Sequence, residues 1–339
     1  MKPETHTHEW TQIDQGEARC LCGISRMAAS VFPYNRILIT GGAGFLGRCV
    51  DQRLRQFENV ARFIPRSAEY DLTEKRDASR LLDDARPNLV IHLAANCGGI
   101  GYNQKNPGAL FYDNAMMGLN VVEQCRLAHV RKLVLVGTVC SYGRDAKVPF
   151  TEDSLFTELP EPTNRAYAIA KLSLLYMLHA YRQQYGLNGI YLIPINLFGV
   201  GDRFDLETSH VIPALIRKCV EAKREGKDFI EVWGSGSASR EFLYISDCAD
   251  AIVRAAELYN DGDPVNIGTG QEITIRDLAT KIAELTGFDG EIRWQRDKPD
   301  GQPRRCLDTS RARERFGFEA KTSLEDGLRR TIEWYEQNN

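Results

Sequence analysis

No apolar run in this sequence approaches the ~18 residues a membrane-spanning helix requires, and the first twenty residues hold no apolar stretch of signal-peptide type. A soluble, cytosolic protein without a membrane partner is therefore expected. Paired cysteines are missing too. The nine cysteines (Cys20, Cys22, Cys49, Cys97, Cys125, Cys140, Cys219, Cys248 and Cys306) show no C-x-x-C spacing, so neither a disulfide framework nor a zinc site is indicated. Charge of one sign is not in excess. Forty-three basic against 46 acidic residues leave a formal net charge of −3, too little to gather nucleic acid or anionic membrane. Internal repeats and low-complexity segments are also absent.

What is present is ordinary globular material: 339 residues, 43 % hydrophobic and 26 % charged. That length exceeds the roughly 250–300 residues at which single cores stop growing, so two domains are expected. Residues 1–33 are polar and aperiodic and are read as a tail; Met27 is a candidate natural start. Its His6, His8, Cys20 and Cys22 lack the paired spacing of metal sites, and no metal is expected.

From Arg36 the texture changes. Ile37-Leu38-Ile39-Thr40 is a short apolar run ending in glycines, and Leu46, Val50 and Leu54 then recur at helical spacing. Further apolar runs at 60–64, 89–94, 133–137 and 189–195 alternate with helix-length segments at 107–129 and 164–185. Such alternation implies βαβ units and a doubly wound parallel sheet of Rossmann type. Beyond Phe198 the alternation loosens, with a helix at 211–225 and a strand at 229–233. A nucleotide-binding domain over 34–198, with part of 235–265, and a smaller C-terminal α/β substrate domain over 199–339 are expected. Thr274-x-x-Asp277 and Ser323-x-x-Asp326 open two further helices.

Gly41-Gly42-Ala43-Gly44-Phe45-Leu46-Gly47 follows the first strand and opens the first helix. Gly41, Gly44 and Gly47 permit a tight turn and close approach to a pyrophosphate, which a helix N-terminus then binds. After the second strand, Arg66-Ser67 stands where NAD enzymes carry a ribose-binding carboxylate. A guanidinium beside a hydroxyl suits a 2′-phosphate, so NADP(H) is the expected cofactor. Tyr167 and Lys171 lie four residues apart on one helix face. A nearby ammonium lowers a phenol's pKa from ~10, preparing Tyr167 for proton transfer at a carbonyl oxygen, with Thr138 at a strand end offering a hydroxyl to it.

Glycine loop, strand-end Ser/Thr and Tyr-x-x-x-Lys, in this order, resemble the extended short-chain dehydrogenase/reductases that act on nucleotide sugars. Six further segments narrow the likeness: His92-Leu93-Ala94-Ala95 with Gly98-Gly99-Ile100, Glu161-Pro162-Thr163-Asn164, Ser209 to Leu215, Val232 to Gly236, Arg240-Glu241-Phe242 and Lys298-Pro299-Asp300-Gly301. They resemble the branch that inverts C3 and C5 of GDP-4-keto-6-deoxy-D-mannose and reduces C4 to form GDP-L-fucose. That resemblance implies Cys140 as base and His210 as acid for the inversions, then Tyr167, Lys171 and Thr138 for the reduction. It further implies cofactor contacts from Phe45, Leu46, Asp71, Leu72, Leu93, Ala94, Ala95, Pro194, Leu197 and His210. Substrate contacts are implied from Asn196, Val211, Leu215, Lys218, Trp233, Arg240 and Lys298, and a homodimer through the helices at 107–129 and 164–185. The chain departs from the family pattern at Thr138, Lys218 and Arg203, where serine, arginine and asparagine are usual. Alternatives are a GDP-sugar 3,5-epimerase without net reduction, an enzyme of the same chemistry on a related GDP-deoxysugar, and a catalytically silent NADP-binding sensor.

Overall fold

The structure is a computed structural model that describes residues 10–13, 17–20, 25–27, 31–206, 209–298 and 301–339. The expectations on His6, His8, Cys22, Pro299 and Asp300 lie outside the described residues. Near the N-terminus β1 (Trp10–Ile13), β2 (Glu17–Cys20) and β3 (Ser25–Met27) pair as an antiparallel sheet, where the sequence shows no strand periodicity. Strands of three or four residues are too short to display alternation.

The next elements run β4 (Arg36–Thr40), α1 (Phe45–Leu54), β5 (Ala61–Phe63), α2 (Lys75–Ala85), β6 (Leu89–His92), α3 (Ile100–Lys105), α4 (Pro107–Leu127), β7 (Lys132–Val136), α5 (Arg165–Tyr185) and β8 (Gly189–Pro194). After them come β9 (Asn196–Phe198), α6 (Val211–Glu225), β10 (Phe229–Trp233), β11 (Ser239–Tyr244), α7 (Ile245–Leu258) and β12 (Val265–Ile267). The chain ends with β13 (Glu272–Thr274), α8 (Ile275–Thr286), β14 (Glu291–Gln295), α9 (Ser310–Phe316) and α10 (Leu324–Asn338).

Six strands form one parallel sheet in the order β5-β4-β6-β7-β8-β12. Helices cover both faces, so the central strands are apolar throughout: Ile37 to Ile39, Leu89 to Ile91, Leu133 to Leu135 and Ile190 to Ile193 are all buried. The strand order reverses beside β4, because β5 lies on one side of it and β6 on the other. Such a switch point opens a crevice at the carboxyl ends of the strands.

A second core joins α6, α8 and α10 through Ile212, Leu215, Ile216, Leu278, Ile282, Leu328 and Ile332. Thr274 and Ser323 cap α8 and α10 by accepting the N–H groups of Asp277 and Asp326 at 3.0 and 3.1 Å. The two cores interleave along the chain. Leu243, Cys248, Ile252, Val265 and Ile267 return to the first core, and so do Leu307, Ala312, Phe316 and Phe318.

Glu241, fully buried on β11, ties these passages together. Its carboxylate accepts the N–H groups of Thr269, of Gly270 at 2.9 Å and of Leu307 at 2.7 Å. Glu241→Ala strands the buried Leu307 N–H and removes the partner of the part-buried Thr269 and Gly270 N–H groups, and the expected loss of stability is roughly 2–3 kcal/mol. Chemical denaturation followed by circular dichroism checks this, and a loss below about 1 kcal/mol contradicts it.

Candidate active site

A single cleft of about 1640 Å³ lies between the sheet's carboxyl ends and the second core. One small ligand occupies roughly 300–1,000 Å³, so this space suits a dinucleotide together with a second large molecule. Every site residue expected from the sequence lines it except Lys298.

The glycine loop forms one wall. Gly41 adopts φ +70°, and a Cβ there would stand 2.6 Å from the Ala94 nitrogen. At Gly47 a Cβ would stand 2.2 Å from the Gly41 oxygen and 2.5 Å from the Gly42 Cα. Gly44, the N-cap of α1, is less confined, since its Cβ would meet the Gly41 oxygen at 3.2 Å. The loop thus lies against the Leu93-Ala94-Ala95 segment after β6 and presents the N–H groups of Phe45 and Leu46 at an acid-free first turn. Arg66 with Ser67, and Asp71 with Leu72, continue the same wall. This cradle fits the pyrophosphate and ribose of a nicotinamide dinucleotide. Gly47→Ala is expected to abolish any rise in melting temperature on adding a reduced nicotinamide dinucleotide, whereas Gly44→Ala keeps most of it. Equal shifts in the two variants contradict that reading.

Deeper in the cleft, β7 ends at Val136 and the chain turns through Thr138 into a short 3₁₀ turn, Val139–Ser141. Thr138 Oγ1 accepts the Cys140 N–H at 3.2 Å. The same hydroxyl stands beside the Tyr167 phenol. Lys171 is buried on α5, one turn from Tyr167, and its Nζ donates to the Val136 carbonyl at 3.2 Å. Burial pushes that amine down to about 8. The expected lowering of the Tyr167 phenol by Lys171 is not found. Burial pushes the phenol well above its usual value, helped by Cys97 and Cys140, with the Thr138 hydrogen bond opposing it. Lys171 Nζ is 6.0 Å from the ring centroid, and desolvation outweighs a charge at that range.

His210 is the N-cap of α6 and faces the cleft from the second core, with Val211 and Leu215 beyond it. Burial lowers its imidazole pKa, and the Arg203 and Arg305 guanidiniums lower it further. Asn196 donates from Nδ2 to the Glu241 carbonyl at 2.9 Å, which fixes it at the cleft edge. Arg240 Nη1 donates to the Ser239 carbonyl at 2.7 Å. Pro194 and Leu197 bracket Asn196 along the same wall. Trp233 is half exposed at the end of β10, with Lys298 Nζ 5.8 Å from its ring centroid. Lys298 therefore stands at the rim beside Trp233. Lys218 lines the cleft but donates to the Glu231 carbonyl at 2.7 Å, so its ammonium is engaged by the protein.

Four cleft residues carry chemistry that sequence reading did not single out. Arg305 donates from Nη1 to Cys140 Sγ at 3.8 Å. Cys97 lines the cleft near Tyr167 and Lys171. Asn103 on α3 donates to Asn164 Oδ1 at 2.8 Å, while its own Oδ1 is buried without a partner among the described residues. Asp202 has one buried oxygen without a partner among the described residues, and burial pushes its carboxyl up to about 7. Only the loop glycines around Asp202 and the Asn-rich run after Gly101 offered any signal.

The arrangement supplies a thiol, an imidazole, a phenol and a hydroxyl to one space, with a dinucleotide cradle alongside. The model of the NAD dependent epimerase/dehydratase family matches residues 37–268. GDP-L-fucose synthase 1 of Arabidopsis thaliana is 40% identical over 305 residues, covering 89% of this chain and 94% of that protein. Among solved structures, a GDP-6-OMe-4-keto-L-xylo-heptose reductase from C. jejuni superposes with a TM-score of 0.84 at 27% identity, covering 90% of this chain and 98% of that one. A GDP-L-fucose synthetase from Naegleria fowleri bound to NADP gives a TM-score of 0.81 at 28% identity, covering 90% and 94%. The likeness runs over nearly the whole chain, which belongs to the NAD dependent epimerase/dehydratase family, among the GDP-L-fucose synthases and their relatives.

Proposed function

We propose that this cleft inverts C3 and C5 of GDP-4-keto-6-deoxy-D-mannose and reduces C4, giving GDP-L-fucose with NADPH as reductant. The observation that carries the reading is Cys140 and His210 facing the same space as Tyr167, Thr138 and the dinucleotide cradle. The name of the Arabidopsis relative supports the product.

The 4-keto group acidifies the protons on C3 and C5. Cys140 takes a proton from one face: the C–H bond breaks, an S–H bond forms, and the electron pair moves into an enolate on O4. His210 delivers a proton to the other face and inverts the centre. Each inversion leaves a proton on sulfur and one missing from the imidazole, so both groups exchange with solvent before the next. The diphosphate of the substrate offsets the Arg203 and Arg305 charges that disfavour the imidazolium.

A bound reduced nicotinamide supplies the hydride for C4. Gly41, Gly47, Phe45 and Leu46 hold its pyrophosphate, and Arg66 with Ser67 receives a 2′-phosphate; the Naegleria structure bound to NADP supports that preference. Tyr167 gives its proton to O4, Thr138 hydrogen-bonds the same oxygen, and Lys171 meets the nicotinamide ribose. Trp233 and Lys298 stack on and pair with the nucleotide at the rim, while Asn196, Arg240 and Lys218 stand along the diphosphate path. Residues 34–198 with α7 and β12 form the cofactor half, and α6, α8, α10 and their strands the substrate half.

The protein works as a homodimer through α4 and α5, which expose Phe111, Tyr112 and Tyr176. It resides in the cytosol, where its free thiols at Cys49, Cys97 and Cys140 persist. The heptose reductase likeness favours a second reading, C4 reduction of another GDP-linked 4-keto sugar. Turnover of each keto sugar with NADPH and with NADH, with products identified by NMR, tests the proposal. GDP-L-fucose formed faster with NADPH supports it; turnover of the heptose alone replaces it with the second reading.

A further inference from the structure

We infer that Arg305 is the cation that faces the Cys140 sulfur while it takes up and releases the sugar proton, a positioning residue for the inversions rather than a contact for the sugar. The inference rests on the reading of Cys140 as the base. Arg305 Nη1 donates to Cys140 Sγ at 3.8 Å, and the arginine is only 9% exposed. Among the described residues no carboxylate pairs with it. Its neighbour Arg304 behaves differently, lying exposed and ion-paired with Glu272. A cation enclosed without a carboxylate is costly unless an anion shares its surroundings, and thiols beside guanidinium groups favour the thiolate.

The guanidinium is also held in place. Its Nε donates to Gln302 Oε1 at 3.2 Å. Gln302, itself buried, donates from Nε2 to the carbonyls of Gly143 at 3.3 Å and Arg144 at 3.0 Å. Those two residues follow the turn that carries Cys140. One amide therefore locks Arg305 to the same loop as the thiol, while Thr138 fixes the Cys140 backbone from the other side. As the sugar proton moves to sulfur, the negative charge passes from Sγ to the enolate oxygen. Arg305 stays beside the sulfur, already in place to pair with it again once the proton has passed to solvent.

The test is the rate of iodoacetamide modification of Cys140 in the full-length protein, read by mass spectrometry on the tryptic peptide 133–144, which contains no other cysteine. In Arg305→Gln the rate at pH 7 is expected to fall about tenfold, with the pH profile displaced upward, while Arg305→Lys stays within about threefold of the parent. Gln302→Ala, which frees the guanidinium, gives an intermediate fall and serves if Arg305→Gln does not fold. An unchanged profile in folded Arg305→Gln, or in Gln302→Ala, overturns the inference. Failure of the epimerase reading looks different: the parent protein then shows no C3/C5 deuterium exchange, yet Cys140 modification still depends on Arg305.

Discussion

Cys140→Ser is expected to lower deuterium uptake at C3 and C5 of the keto sugar by about 10²- to 10⁴-fold, the usual worth of a positioned general base. A serine hydroxyl cannot ionise near neutral pH, so the C–H bond has no proton acceptor on that face and the enolate does not form. The substitution is otherwise gentle. Cys140 is half-buried on a turn whose N–H is capped by Thr138, and serine keeps that backbone bond. The melting temperature should therefore hardly move. Reduction does not need the thiol, so NADPH consumption continues and yields a C4-reduced sugar with C3 and C5 uninverted. NMR of the product distinguishes it from GDP-L-fucose. Exchange at the parental rate in the serine variant removes Cys140 from its role.

Tyr167→Phe produces the reverse pattern. NADPH oxidation is expected to fall by about 10²- to 10⁴-fold, because the developing C4 alkoxide loses its proton donor. C3 and C5 exchange continues. Burial keeps the Tyr167 phenol protonated across the physiological range, so the residue is charged with its proton before the hydride arrives and does not itself shape the pH profile. Lys171 does. Burial lowers its amine to about 8, so the ammonium is present below that pH and lost above it. Reduction should decline as pH rises through about 8 while exchange does not follow the same curve. Stopped-flow absorbance of NADPH paired with NMR exchange measures both. Parental NADPH oxidation in Tyr167→Phe removes Tyr167 from the role of proton donor.

Much of this was legible from residues alone. Short apolar runs before glycines, and helices opened by T-x-x-D and S-x-x-D, carry local signals that survive into the folded chain. Tyr167 and Lys171 were found because helical spacing determines which side chains are neighbours. The direction of the Tyr167 shift was not, because spacing reports proximity and says nothing of desolvation. Lys218 illustrates a second limit. Its charge is evident from the sequence, but the carbonyl of Glu231 that engages it belongs to β10 and is brought there only by the tertiary fold. Arg304 and Arg305 show a third. They are adjacent and chemically identical, and only the pairing of Arg304 with Glu272 and the enclosure of Arg305 beside Cys140 separate a surface ion pair from a group in the cleft. Residues 307–318 join the first core through four apolar side chains without any strand or loop signature to announce it.

The most direct measurement is incubation of the purified protein with GDP-4-keto-6-deoxy-D-mannose and NADPH in D₂O, following absorbance at the reduced nicotinamide band and then the sugar by NMR. The account predicts loss of NADPH with deuterium at both C3 and C5 of GDP-L-fucose. Deuterium without NADPH loss, or NADPH loss with no deuterium at either carbon, contradicts a single cleft that inverts and then reduces.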